Sequence, residues 1–289
     1  MKQGVLLLAH GAPERVEDVE SYLSFVRGGR PGSPQVLEEV RHRFAAIGGS
    51  SPLLHWTREQ AAALERLLGV PVVFGMRNWH PFIRETMTCV RNVDRLAAIC
   101  LAPQFSEMSV GLYIKRTEEA RQEAGVTAEI VWAKSYHDEP LFIEAFAERL
   151  RPIAPGRQIL FTAHSLPEKA LAEGDPYDRE THATAALVAA KVGLSDWDFA
   201  YQSQGMTSDA WLGPTVESQL DAYAARGIRE AVIHPIGFVC DHVEILYDID
   251  IAFRDYAATR GITIYRPESL NGSSTFTAAL AEVAKRCLA

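Results

Sequence analysis

The sequence predicts an α/β protein built on parallel sheets. Short, apolar, β-branched runs recur along the 289 residues, and a helix-length segment separates each run from the next. Strands apolar on both faces and covered by helices account for both observations. The β-α-β rhythm implies right-handed crossovers. The first run, residues 4–10, carries Val5-Leu6-Leu7-Leu8; the second, 70–76, carries Val72-Val73-Phe74; the third, 96–103, carries Leu96 and Ile99; the fourth, 129–133, carries Ile130-Val131-Trp132. Four more follow: 158–164 with Ile159-Leu160-Phe161, 199–203 with Phe199, 231–238 with Val232-Ile233, and 262–265 with Ile262 and Ile264. Between the groups, residues 151–157 are punctuated by Pro152, Pro155 and Gly156, residues that break regular structure. Two domains, 1–150 and 151–289, are therefore expected, and Ala9-His10-Gly11 and Ala163-His164-Ser165 make the halves look like two copies of one architecture.

Composition narrows the function classes. With 47% hydrophobic and 23% charged residues, the chain has the make-up of an ordinary globule, which excludes intrinsic disorder. The 29 Lys+Arg against 37 Asp+Glu give a net charge of −8. A polyanionic nucleic acid or anionic membrane is thus a poor partner, and a cationic ligand such as a metal ion is more compatible. The cysteines, Cys89, Cys100, Cys240 and Cys287, form no C-x-x-C pair, so reduced thiols are expected and an iron–sulfur cluster is not. The apolar segment 4–9 is too short for a signal-peptide core or a membrane span. Together these make the cytoplasm the expected location, with no integral membrane association expected.

In open parallel sheets the functional residues collect at the carboxyl ends of the strands. His164 follows Ile159-Leu160-Phe161 and precedes Pro167, so a partly desolvated imidazole is expected at a strand tip, kept neutral and fit to accept a proton or bind a metal. A histidine that merely caps the next helix would occupy the same position. Glu244 falls on a helix expected to start near Asp241, where a spacing of three and four puts Asp241, Glu244 and Asp248 on one face. Such a row suits either a solvated face or a cleft that handles cations and protons. A neutral imidazole and a carboxylate facing each other from two strand ends make a proton-abstracting, metal-handling pair. Other chemistries lack their motifs: no G-x-G-x-x-G follows the first strand, and there is no P-loop and no G-x-S-x-G elbow.

Over nearly its whole length, and in collinear order, the chain resembles ferrochelatases, which insert Fe(II) into a porphyrin. The likeness rests on Ala45-Ala46-Ile47-Gly48-Gly49-Ser50-Ser51-Pro52-Leu53, residues 101–106, Ala163-His164-Ser165-Leu166-Pro167 with Gly174-Asp175-Pro176-Tyr177, Gln202-Ser203 with Trp211-Leu212-Gly213-Pro214, and residues 237–250 from Gly237 to Asp250. The resemblance implies two Rossmann-like domains, each a four-stranded parallel sheet flanked by helices, with the porphyrin in the cleft between them. It makes His164 and Glu244 the catalytic and metal-handling pair, with Asp241 and Asp248 as an acidic relay. It implies Fe(II) as a substrate, no required cofactor, and a monomer.

The resemblance also marks a segment contacting the porphyrin propionates, here with Arg27, Arg30, Arg43 and Ser51, and a second loop with Ser106. Guanidinium forks suit carboxylates, although a solvated surface arginine would read the same way. The motif spellings look closer to the soluble bacterial forms that act on coproporphyrin III than to membrane-associated forms that act on protoporphyrin IX. Two departures stand out. His10 replaces a tyrosine common in soluble relatives on the face opposite His164, which puts an imidazole beside the substrate as a stronger iron ligand than a phenol. Ala252 stands where some relatives carry another carboxylate, which puts an auxiliary metal site there in doubt. Two alternatives stay open: a related tetrapyrrole cobalt chelatase using His10 and His164, and a non-catalytic haem or tetrapyrrole carrier in which His10 holds the metal.

Overall fold

The computed structural model describes residues 1–205 and 209–289, and each of the eight apolar runs overlaps a strand. In the first half these are β1 (Gln3–Ala9), β2 (Val72–Met76), β3 (Arg95–Cys100) and β4 (Glu129–Ala133); in the second, β5 (Gln158–His164), β6 (Asp198–Gln202), β7 (Glu230–Pro235) and β8 (Thr263–Tyr265). The intervening helices are α1 (Val19–Val26), α2 (Pro34–Ala46), α3 (Leu53–Leu68), α4 (Ile83–Met87), α5 (Leu112–Glu123), α6 (Pro140–Leu150), α7 (Glu168–Ala172), α8 (Tyr177–Val192), α9 (Val216–Ala225), α10 (Val243–Leu246), α11 (Arg254–Thr259) and α12 (Ser274–Leu288). Local signals set their ends. Ser33 caps α2 by accepting a hydrogen bond from the Val36 N–H, with Pro34 in the first turn, and α3 stops at Gly69 in the left-handed conformation. Strands β3 and β7 end earlier than the apolar runs. After β7 the chain turns, with the Phe238 N–H donating to the Pro235 carbonyl.

The two sheets have the same plan. The first is ordered β2-β1-β3-β4 and the second β6-β5-β7-β8, with every pairing parallel. Two Rossmann-like units result, as expected. Strands β1 and β5 hold equivalent places, so the repeated Ala-His dipeptides lie at equivalent strand ends. Leu6 and Leu8 of β1 face α4 and α5 in one apolar layer, while Leu160 and Ile233 of β5 and β7 face α9 and the segment running to Ala257.

The expected division at 151 separates the two sheets but not the core. Val5 and Leu7 of β1, Phe142 and Phe146 of α6, Ile159 and Phe161 of β5, and Phe276 and Leu280 of α12 belong to one buried cluster. The final helix, α12, packs on β3, β4 and α3 of the first unit as well as on α6. Arg95 Nε and Gln3 Nε2 donate to the Cys287 and Leu288 carbonyls at 3.1 and 2.8 Å, satisfying last-turn acceptors that the helix itself leaves open. Among the described residues no helix is long and apolar enough to cross a membrane.

Because α12 returns from the second half to pack on the first sheet and on α6, whose Phe146 in turn lies against His234 of β7, Phe276→Ala is expected to cost about 3–5 kcal/mol and to shift one cooperative unfolding transition. Urea titrations followed by fluorescence and by circular dichroism should stay coincident; two separated transitions would show that the units unfold independently.

Candidate active site

Helix-capping geometry and strand ends bring three histidines and two carboxylates into the cleft between the units. His164 ends β5, and its Nδ1 contacts the Ser165 carbonyl oxygen. A carbonyl only accepts, so Nδ1 carries the proton and a neutral ring keeps its lone pair on Nε2. That Nε2 lies 3.9 Å from Glu244 Oε1, with about a third of each side chain exposed. His242, at the start of α10, repeats the arrangement: Nδ1 donates to the Cys240 carbonyl at 3.0 Å, and Nε2 lies 3.7 Å from Glu244 Oε2. One carboxylate thus sits between two imidazoles. Burial opposes its charge, but His164 and then His242, when each carries a proton on Nε2 and is cationic, more than offset this and draw its pKa down to about 2.

Asp248 behaves in the opposite way. It opens a π-helical turn, Asp248–Phe253, and is buried; Ser203 Oγ donates to its Oδ2, while Arg43 Nη1 lies 3.3 Å from its Oδ1. Burial, aided by the Glu244 charge, raises its pKa to about 6 in spite of Ser203 and Arg43. Ser203 leaves β6 with φ of 58°, a sparsely populated conformation for a residue with a side chain. Two carboxylates whose pKa values are pushed apart suit an acid–base pair.

Asp241 does not join them. Helix α10 begins only at Val243, after an extended His242, so the expected common face of Asp241, Glu244 and Asp248 does not form. The Asp241 carboxylate accepts from Ser269 Oγ and Asn271 Nδ2 at 2.7 and 2.9 Å and pairs with Arg266 at 3.2 Å. It fixes the loop that carries Glu244.

His10 follows β1 and is turned by Gly11, whose φ is 87°. A Cβ there would lie 2.7 Å from the Trp79 backbone nitrogen, so only glycine fits. The His10 ring lies beside Tyr22 of α1, with Nε2 3.1 Å from the hydroxyl, and beside Arg77, with Nδ1 3.3 Å from Nη2. Burial first, then the Arg77 charge, lowers its pKa to about 3, so the imidazole is neutral. Arg27 and Arg30 are exposed after α1 and have no carboxylate partner among the described residues. Arg43 is instead shared between Glu39 at 2.7 Å and Asp248, and stacks over Tyr247. The two serines have local work: Ser51 Oγ accepts from the Leu53 N–H, and the buried Ser106 Oγ donates to Asp175 and accepts from the Met108 N–H. The Ser106 hydroxyl is thus used in both directions, whereas the Ser51 oxygen only accepts.

The family model for ferrochelatase matches residues 2–288. The chain belongs to the ferrochelatase family. A ferrochelatase of Acidobacterium capsulatum is 47% identical across 98% of this chain and 94% of its own, and a coproporphyrin III ferrochelatase of Bacillus subtilis is 36% identical across 98% and 96%. Among solved structures, SirB from Bacillus subtilis with Fe3+ has a TM-score of 0.64 at 12% identity, covering 100% of this chain and 96% of that one, a likeness of fold. This ferrochelatase is a porphyrin metal chelatase.

Arg77, Asn78, Tyr22 and the role of His242 are additions to the site that sequence reasoning missed. For Arg77 and Asn78 the signal was present, since they directly follow the apolar run at 70–76 and the strand-end rule applies there too. Tyr22 carried no comparable signal.

Asp248 provides a pH test. Its native pKa, about 6, lies above the ordinary 3.8, so the folded state holds the proton more tightly and loses stability as pH rises through that window. Wild type should lose up to about 3 kcal/mol relative to Asp248→Asn between pH 4 and 6.5 in urea titrations. Parallel stability curves would show that Asp248 is not protonated there.

Proposed function

We propose that this ferrochelatase inserts Fe(II) into coproporphyrin III in haem biosynthesis, with His164 and Glu244 at the reacting centre. The observation that carries this reading is the His164 Nε2–Glu244 Oε1 approach of 3.9 Å, in which the opposite ring nitrogen is committed to a backbone carbonyl. Metallation binds one Fe(II) and releases two pyrrole N–H protons. A neutral imidazole accepts a proton at Nε2, or offers that lone pair to the incoming metal, and an anionic carboxylate stabilises either cation. His242 presents a second imidazole nitrogen to the other oxygen of Glu244. Asp248, with a pKa raised to about 6, takes up protons passed inward from Glu244.

The substrate preference is supported by the exposed Arg27 and Arg30, which have no carboxylate partner among the described residues and offer forks to peripheral carboxylates, and by the coproporphyrin III ferrochelatases among the relatives. Iron is written here as substrate. In this reading the chain works as a cytoplasmic monomer without a resident cofactor or iron–sulfur cluster. A haem carrier would need a ligand free on His10, and both nitrogens of that ring are already engaged.

The test is anaerobic Fe(II) insertion with coproporphyrin III and protoporphyrin IX in parallel. Multiple turnover, faster on coproporphyrin III, is expected; His164→Ala should lower kcat by about 10²–10⁴. Removing Arg27 and Arg30 together should raise KM for coproporphyrin III about tenfold with kcat retained. Equal rates on both porphyrins would overturn the substrate assignment, and an unaffected His164→Ala would overturn the mechanism.

A further inference from the structure

His10 is the one cleft imidazole whose two nitrogens are both turned away from the carboxylates. Arg77 Nη2 lies 3.3 Å from Nδ1, and a guanidinium has no acceptor face. Nδ1 therefore accepts, and the ring proton sits on Nε2, where the Tyr22 hydroxyl receives it at 3.1 Å. The Asn78 amide lies 3.1 Å from Nε2 through its Nδ2 and 3.5 Å from Nδ1. An amide can turn end for end and present its oxygen to Nε2–H, whereas arginine cannot change sign, so Arg77 decides the tautomer. Arg77 is itself held: Nη1 donates to the Ser109 carbonyl at 3.4 Å, its plane lies over Tyr113, and it has no carboxylate partner among the described residues. Burial and this charge keep His10 neutral.

We propose that Arg77 is a positioning residue for metal insertion: by occupying the Nδ1 lone pair of His10 it withholds that imidazole from iron. The inference rests on the ferrochelatase reading of the cleft and extends it to the face where His10 lies. A neutral imidazole with a free lone pair is a strong ligand for iron, and one beside the product would hold the metallated ring. With the lone pair occupied, His10 offers the macrocycle a ring edge and no axial ligand, while the Nε2 atoms of His164 and His242 lie beside Glu244 on the other unit. The metal is then taken up on one side and its product is not retained on the other.

Two measurements test this. Long-range ¹H–¹⁵N correlation on the unliganded protein, with the His10 signal assigned by its loss in His10→Ala, should show the Nε2–H tautomer; a proton on Nδ1 would overturn the proposal whatever the enzyme binds. Iron coproporphyrin III is then added to wild type, Arg77→Met, Arg77→Lys and Arg77→Met/His10→Ala, and visible and resonance Raman spectra are recorded. Arg77→Met should show a new imidazole–iron signature and release product about tenfold more slowly. The signature should vanish in the double variant and be absent in Arg77→Lys, where a donor-only cation is restored. A His10-dependent iron signature already present in wild type, or none in Arg77→Met that nevertheless binds the complex, overturns the role. Correct tautomer in the unliganded protein but no binding of iron coproporphyrin by wild type would instead overturn the functional reading, and the ligand-withholding role with it.

Discussion

A carboxylate half-sunk in a protein cleft stays charged only where its neighbours make the charge worthwhile, and Glu244 is arranged around that requirement. Each of its oxygens faces an imidazole nitrogen, 3.9 Å away on His164 and 3.7 Å away on His242. Each imidazole is aimed by a backbone carbonyl that consumes its other nitrogen. The loop bearing Glu244 is pinned by Asp241, which spends its carboxylate on Arg266, Ser269 and Asn271. The residues nearest the chemistry therefore depend on a polar frame that does none of it, as functional constellations generally do.

The electrostatics divide the cleft. On the second unit a low-pKa carboxylate, two imidazoles and a protonatable Asp248 form a set able to collect protons and cations. On the first unit the arginines dominate: Arg77 at His10, Arg43 reaching across to Asp248, and the exposed Arg27 and Arg30 after α1. A polycarboxylate macrocycle is oriented by such a field before any short contact forms, because its charges seek the arginine-rich wall and its metal the other.

Much of this was legible in the sequence. Eight strands follow from eight apolar runs because a strand buried on both faces has little choice of residue, and the carboxyl-end rule leads directly to His164 and Glu244. The failures have physical causes. Helical spacing placed Asp241 beside Glu244, but an extended His242 intervenes and a π-helical turn follows, and neither is encoded in a periodicity. Ser51 and Ser106 are a separate matter: a capping hydroxyl and a binding hydroxyl are the same chemical group, and here each oxygen accepts from a nearby backbone N–H. The return of α12 to the first sheet was invisible because an amphipathic helix declares that it has a buried face, not which surface buries it. Tyr22, remote from any strand end, enters the site only because α1 folds over His10.

The single core shared by β1, α6, β5 and α12 bears on mechanics. Two walls that rise from one close-packed interior of low compressibility are poorly able to swing as separate jaws, since any hinge would have to tear the packing beneath the cleft. The stiffer body sets the shape of the softer one. A flat macrocycle entering this cleft therefore meets two walls anchored in one interior, and a difference in curvature between the two is not easily relieved by moving one wall against the other.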